Sequence, residues 1–402
     1  MRAAERVTVG RRLGFVLVAY AFAVTMMGTT LPTPLYPIYQ QEIGFSSLVV
    51  TVIYASYAIG VIAALLLFGQ LSDEIGRRWV LLPGLLLSAA SALAFLFAGS
   101  LVPLFVGRVL SGLSAGIFTG TATATLVDLA PPDGQRRATL IATGVNIGGL
   151  GLGPLLAGLL SQYAVLPLRL VFIVDLALLV PAVVGVVFII PEPVEEKATV
   201  RLRPQRLRVP AQVRATFIRA AIPGFAGFAV LGLFTAVAPV FLNRTLNLPN
   251  HALTGLVVFA VFASSTFGQL ILERFPQLLV LPAGCVGLII GMALVASGLQ
   301  VHSLALLVVG SVIAGLGQGL SFRAGLAAIN AQSPAAQRSE IASSFFVVLY
   351  VAISFPVIGV GIAAQAFGLQ LAGVAFSAIV AILALIALII LLVRPVEQSS
   401  AS

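Results

Sequence analysis

Cysteine is nearly missing from this chain: Cys285 stands alone, which excludes an internal disulfide. Two histidines, His251 and His302, exclude a multi-histidine metal site. Charge is scarce as well. Asp, Glu, Lys and Arg make up 9% of the 402 residues, where soluble chains carry about 25%. That argues against a water-soluble enzyme of two or three domains. What is abundant is apolar surface, with 60% hydrophobic residues. A membrane-spanning helix needs roughly 20 such residues, so about twelve spans of about 22 would use roughly 260 residues. The remainder suffices for short loops and one longer one. Acids are fewer than bases, 13 against 22, for a net charge of +9. In a membrane protein that surplus marks cytoplasmic loops rather than nucleic-acid binding.

Apolar runs place spans at 13–35, 48–71, 79–99, 101–130, 138–160 and 166–190, then at 220–242, 253–272, 278–298, 303–331, 340–366 and 369–393. The first run follows Arg11 and Arg12, as a signal peptide would. It is too long for one and no small-residue cleavage site closes it, so it reads as the first permanent helix. With the N-terminus inside, 18 basic residues fall in cytoplasmic segments and only Arg169 and Arg244 fall outside; Arg108 and Arg323 lie within spans. The positive-inside rule then puts both termini in the cytoplasm.

Composition shifts at one place, 191–219, which is Pro-broken and charge-rich. It reads as a solvated cytoplasmic linker or as a surface-lying segment whose arginines meet anionic headgroups. It divides the chain into an N-terminal part, 1–190, and a C-terminal part, 220–402, of six spans each. The halves resemble one another. Gly69-Gln70-Leu71 recurs as Gly268-Gln269-Leu270 and Leu82-Pro83 as Leu281-Pro282, both 199 residues on. Gly112-Leu113 and Gly116 recur as Gly315-Leu316 and Gly319 at 203, and Gln135-Arg136 as Gln337-Arg338 at 202. Internal repeats in a polytopic chain are characteristic of transporters, where two bundles rock about a site between them. The fold expected is all-α, twelve transmembrane helices in two pseudo-symmetric six-helix bundles.

The loop between spans 2 and 3 runs Gly69-Gln-Leu-Ser-Asp73-Glu-Ile-Gly76-Arg77-Arg78. Its glycines allow a tight turn and close helix approach. An acid four residues before a base can pair at the cytoplasmic rim, although an ordinary positive-inside loop would look similar. The segment resembles the signature loop of the major facilitator superfamily, G-x-L-x-D-r-x-G-r-k/r, at Gly69, Leu71, Asp73, Gly76, Arg77 and Arg78. It departs at Glu74, where that family usually carries a base. In the second half only Glu273 remains, with Leu272, Pro276 and Gln277 at the other charged positions. The resemblance implies a cytoplasmic latch in which Asp73 and Arg77 pair with each other and with an acid at the inner end of span 4. Asp128 stands where that acid would be.

Within span 4, Arg108-Val-Leu-Ser-Gly112-Leu-Ser-Ala-Gly116 places an arginine inside a membrane helix. Such a charge is a functional-site hypothesis, or else it snorkels to the headgroups. The spacing is similar to the superfamily motif R-x-x-x-G-x-x-x-A/G, whose arginine is associated with proton coupling. Thr119 and Thr123 share a face and would line a polar path or bond their own backbone. Span 5 is dense in small residues at Gly149, Gly153, Pro154 and Gly158. That suits close packing. It also resembles the antiporter motif of the drug:proton exporters, G-x-x-x-G-P-x-x-G-G, with Ala157 replacing one Gly, and this favours export. Arg169-Leu-Val-Phe172-Ile-Val-Asp175 is similar to the family's entry to span 6, with Asp175 in place of the usual Asn; it is either protonatable or a partner for Arg169. Asn146, Gln269 and Arg323 are further polar residues in the spans, and Phe225, Phe228, Phe234, Phe259, Phe262, Phe345, Phe346, Tyr350 and Phe355 supply aromatic surface.

The expectation is a secondary transporter in the plasma (inner) membrane, moving a small hydrophobic or amphipathic compound outward against protons. Asp73, Arg77 and Asp128 would gate, while Arg108 and Asp175 would couple. No cofactor, metal or nucleic acid is expected, no catalytic set is seen, and the resemblance implies a monomer in the lipid bilayer. Two rivals stay open: uptake of a sugar or organic anion, which the buried arginines would suit, and a non-transporting membrane receptor or assembly protein.

Overall fold

The computed structural model describes residues 2–68, 71–190, 205, 207–272, 276–334 and 337–393, with side chains from residue 10 onward except those of Asp73 and Gln277. Among them fifteen α-helices follow in order: α1 (Arg2–Thr30), α2 (Tyr36–Ile43), α3 (Ser47–Phe68), α4 (Ser72–Ile75), α5 (Arg77–Leu96), α6 (Leu101–Leu129), α7 (Gln135–Tyr163), α8 (Pro167–Val184), α9 (Ala211–Ala236), α10 (Ala238–Arg244), α11 (His251–Ile271), α12 (Gln277–Gln300), α13 (Leu304–Gln332), α14 (Arg338–Phe367) and α15 (Leu369–Val393). Twelve helical stretches, from Gly10–Ile43 to Leu369–Val393, are long and apolar enough to cross a membrane. The protein is an all-α, multi-pass membrane protein.

The helices end where the local chemistry ends them. Gly44 and Gly368 adopt φ of +78° and +89°, conformations that other residues rarely take, and close α2 and α14. Asn250 caps α11 by accepting the Leu253 N–H at 2.8 Å. The largest departure from expectation lies at the seventh span. Helix α9 starts at Ala211, inside the stretch read as linker, because Pro210 provides a start and no breaker follows until Pro223. The span then breaks between α9 and α10 instead of running on to residue 242. Residues 191–204 and 206 of the linker lie outside the described residues.

Two compact units emerge. One contains residues 1–32 and 56–205, the other 33–55 and 206–402. The division therefore differs from the sequence midpoint: the segment from Thr33 to Ala55 packs in the second unit. There Gln365 Nε2 donates to Ser46 Oγ at 3.1 Å, and Gly361 fits against Thr51 and Leu48, where a Cβ would lie 2.4 Å from Thr51 Oγ1.

Each unit is built on the same helix contact. In the first, Gly112 of α6 lies on the carbonyl of Tyr57, and Gly116 on Val61 and Ala64. In the second, Gly315 of α13 lies on the carbonyl of Val261 and Gly319 on that of Ser265. Small residues let the backbones approach this closely. The glycine pairs are 203 residues apart and their partners 204. Gly268, set against the Leu316 carbonyl, thus occupies the place of Ala64, and not that of Gly69. The match of Gly268 to Gly69 is about one helical turn out of register, whereas the glycine matches at 203 mark equivalent positions. Apolar sequence built from few residue types permits both alignments; only packing separates them.

Candidate functional site

At the start of α5 an ion pair forms across the first unit. Gly76 takes φ +98° and ψ 153°, a conformation that glycine alone adopts readily, and this turns Arg77 inward. Its Nε donates to Asp128 Oδ2 at 3.0 Å and its Nη1 to Ser72 Oγ at 2.7 Å. The Arg77 side chain is 10% exposed and that of Asp128 33%, so the pair is only partly screened by water. Arg11 of α1 adds a third strand by donating to the Asp128 carbonyl at 3.0 Å. That carbonyl belongs to the last turn of α6, which carries unsatisfied acceptors and a negative dipole end. Sequence reasoning named Arg77 and Asp128 but missed Ser72 and Arg11. Arg11 was legible only as a generic basic residue. Arg78 is half-buried beside this pair. Gly69 and the Asp73 side chain lie outside the described residues.

Deeper in the same unit two ionisable groups reach adjacent residues of α1. Arg108 is 1% exposed, and its Nη1 donates to the Thr29 carbonyl at 2.5 Å. It does not snorkel. Asp175 of α8 is 2% exposed. Its carboxylate rests against Gly28: a Cβ there would lie 3.0 Å from Asp175 Oδ2. Among the described residues Asp175 Oδ1 has no hydrogen-bond partner. The reading of Asp175 as a partner for Arg169 is not met. Six residues along one helix place them on different faces, and Arg169 is exposed while Asp175 is buried. Phe172, one turn before Asp175, stacks on Phe95 at 5.3 Å and helps to exclude water. Gly28 carried no signal in the sequence, since its importance is the absence of a side chain opposite a residue 147 positions away.

Helix α7 packs its small residues on α1. A Cβ on Gly149 would lie 2.8 Å from the Ala23 carbonyl, and one on Gly153 2.3 Å from that of Met27. Thr30 Oγ1 donates to the Leu150 carbonyl at 2.8 Å. Pro154 and Gly158 are buried in the same helix, and Asn146 is half-buried. Thus α1 is clasped by α7 on one side and met by Arg108 and Asp175 from α6 and α8. Of the threonines of α6, Thr121 and Thr125 are buried and joined by a 2.7 Å bond to the Thr121 carbonyl, while Thr119 and Thr123 are half-buried.

The second unit holds a buried cluster of neutral polar groups. Ser265 donates to Gln318 Oε1 and accepts from Gln269 Nε2 at 3.3 Å; all three are fully buried. Arg323, half-buried, donates to the Gln269 carbonyl at 2.6 Å. Nearby, Phe322 stacks on Phe345 and tilts against Phe228 and Phe346, with centroids 5.4 to 6.5 Å apart. Phe322, which sequence reasoning passed over, is the centre of that cluster. Phe355 instead is exposed.

The family model described as "Major Facilitator Superfamily" matches residues 18–297. Among curated proteins the chain is 28% identical over 148 residues to the "Putative multidrug resistance protein MdtD" of Escherichia coli (strain K12 / DH10B), and 29% identical over 148 residues to that of Klebsiella pneumoniae (strain 342). These alignments cover 37% of this chain and 31% of each relative, so the chain matches about a third of the relatives' length. Among solved structures, a bacterial homologue of the human lysosomal transporter Spinster is similar in two conformations. The inward-facing, occupied one has a TM-score of 0.67, with 15% identity and coverage of 93% and 96% of the two chains. The inward-facing, unoccupied one has a TM-score of 0.70, with 15% identity and coverage of 98% and 99%. At that identity the likeness is one of fold.

Proposed function

Because the chain belongs to the Major Facilitator Superfamily, we propose that it is a secondary active transporter, exporting a small hydrophobic or amphipathic compound in exchange for protons. The observation that carries this reading is Asp175. A carboxyl group buried at membrane depth, without a hydrogen-bond partner on Oδ1 and pressed against α1, is costly unless it serves a function. Taking up and releasing a proton is the chemistry open to it. Its protonation state would be felt by α1 at Gly28, and Arg108 holds the next residue, Thr29. Arg108 and Asp175 therefore bear on one turn of α1, which would move when the carboxyl changes charge.

The Arg77–Asp128 pair, with Ser72 and Arg11, supplies a two-state element, since it can break without loss of the core. Asp73 and Gly69 would complete this gate. Export is favoured by the glycine-rich packing of α7 and by the name of the curated relatives. The aromatic cluster about Phe322 suits an apolar or amphipathic compound. The protein would act as a monomer in the inner membrane with both termini in the cytoplasm. Arg323 and Arg108 at membrane depth support a second reading, uptake of an organic anion.

Reconstitution into proteoliposomes decides between these. A panel of amphipathic compounds is added under an imposed pH gradient while lumenal pH and compound are followed. Compound-dependent proton movement opposite to the compound, lost in Asp175→Asn, is the expected result. Movement of an anion and protons in the same direction would establish the second reading. No transport of any compound, with intact protein, would point to a receptor or assembly role.

A further inference from the structure

The second unit contains a cavity whose lining includes none of Ser265, Gln269, Gln318 and Arg323. It has a volume of about 380 Å³ and lies among α9, α14 and α15. Its floor is formed by buried residues, Ala229, Val360, Phe376 and Val380, and its rim by exposed ones, Gly359 and Ile379. Every lining residue is apolar. Small residues carve it: Gly359 faces open space, with nothing within 4 Å of where its Cβ would be.

The surroundings of the rim say what medium it opens to. Along α15, Leu371, Ile379, Ile382, Leu385, Ile386, Ile389 and Leu392 are all exposed, and Phe355 and Ile362 are exposed on α14. In a membrane-spanning helix, an unbroken exposed aliphatic face meets the hydrocarbon of the bilayer. The cavity is a recess in that face. Its walls extend along α15 from Ala372 to Leu383, roughly 16 Å at 1.5 Å per residue. With ~30 Å³ for a water- or methylene-sized group, 380 Å³ holds about a dozen such groups in a row. A wholly apolar recess of that capacity has no donor or acceptor for a polar head.

We infer that this recess is a specific lipid site that holds one acyl chain of a membrane phospholipid, with the headgroup left outside. The chain would be retained in preference to the exchanging lipid that covers the rest of α14 and α15. The inference is independent of the direction and coupling of transport.

The test uses the full-length protein, purified in mild detergent and stripped of lipid, then titrated with a phospholipid of defined chain length and examined by native mass spectrometry. Wild type should retain one phospholipid at concentrations where no second is held. Gly359→Leu adds its Cβ at the rim of the recess with nothing within 4 Å, so it should weaken retention at least tenfold with an unchanged thermal transition. Ala375→Leu, at another rim position, is the second filling variant in case the first is poorly produced. Ile386→Phe, which adds bulk to the exposed face outside the recess, should retain lipid as wild type does. Phospholipids with chains about half as long as the recess should be held less tightly. Equal retention by wild type and both filling variants would overturn the inference. So would loss of retention in Ile386→Phe, which would mean unspecific coating, or retention of an amphipathic compound in place of phospholipid.

Discussion

The two units share one packing skeleton and differ in what they place on it. Arg77 of the ion pair opens α5, where Gln277, 200 residues on, opens α12. Val280, one turn into α12, is 1% exposed and lies in an apolar cluster with Leu281, Cys285, Leu320, Ala324, Ala328, Ala387 and Leu391. Arg108 corresponds to Ser311, whose hydroxyl merely donates to the Val308 carbonyl of its own helix at 2.7 Å. The tie between Arg11 and the Asp128 carbonyl has a neutral counterpart in Thr216, which donates to Gln332 Oε1 at 2.5 Å. Among the described residues, the first unit thus ties these helix ends with an ion pair, and the second with apolar packing, neutral hydrogen bonds and Arg338, whose Nε donates to the Ser333 carbonyl at 3.3 Å. A partly exposed ion pair can trade its partner for water once the helix ends part, whereas parting an apolar cluster is opposed in water by about 25 cal/mol per Å² exposed.

The skeleton itself is the point at which both units should fail alike. Gly112→Leu and Gly315→Leu would each drive a Cβ onto a carbonyl oxygen, at 2.1 Å from Tyr57 O and 2.5 Å from Val261 O. We expect loss of folded protein in both, read by size-exclusion chromatography in detergent. Tolerance of one alone would break the equivalence. Next come the residues of the proposed gate. Asp73→Asn and Asp128→Asn should abolish transport while insertion into the membrane persists, measured by flux and by membrane-fraction yield. Wild-type flux in either variant would remove the latch from the mechanism.

Asp175→Asn should uncouple proton movement while leaving the thermal transition near that of wild type, because the amide keeps the shape against Gly28. Equal proton flux in the variant would move the coupling group elsewhere. Ser311→Ala, at the position of Arg108 in the other unit, should leave flux unchanged. The smallest effect is expected for Val280→Ala, roughly 1–2 kcal/mol of stability from two lost methyl-sized groups and a partly collapsed cavity. It would show as a modest fall in the thermal transition with flux retained. A larger effect on flux than on stability would show that the apolar cluster also gates.

Much of this arrangement could be read before any coordinates. The spans followed from runs of apolar residues, and Arg77, Asp128, Arg108 and Asp175 stood out because charge is rare in such runs. Ser72 and Gly28 did not, since a serine in a loop and a glycine in an apolar helix have no distinguishing neighbours in sequence. Phe322 was one phenylalanine among 25. The repeat was visible, but its register was not, because two alignments about one turn apart both bring small residues into line.

What the sequence by itself determined is therefore the medium and the number of crossings: hydrocarbon satisfies no backbone hydrogen bond, so apolar runs of this length must be helices. Tertiary structure alone decided which helices approach within a glycine's width and in what register. It also decided that Thr33 to Ala55 packs with the second unit and that Asp175 meets α1 instead of Arg169. Those outcomes depend on steric fit between residues more than a hundred positions apart, and local composition carries no record of it.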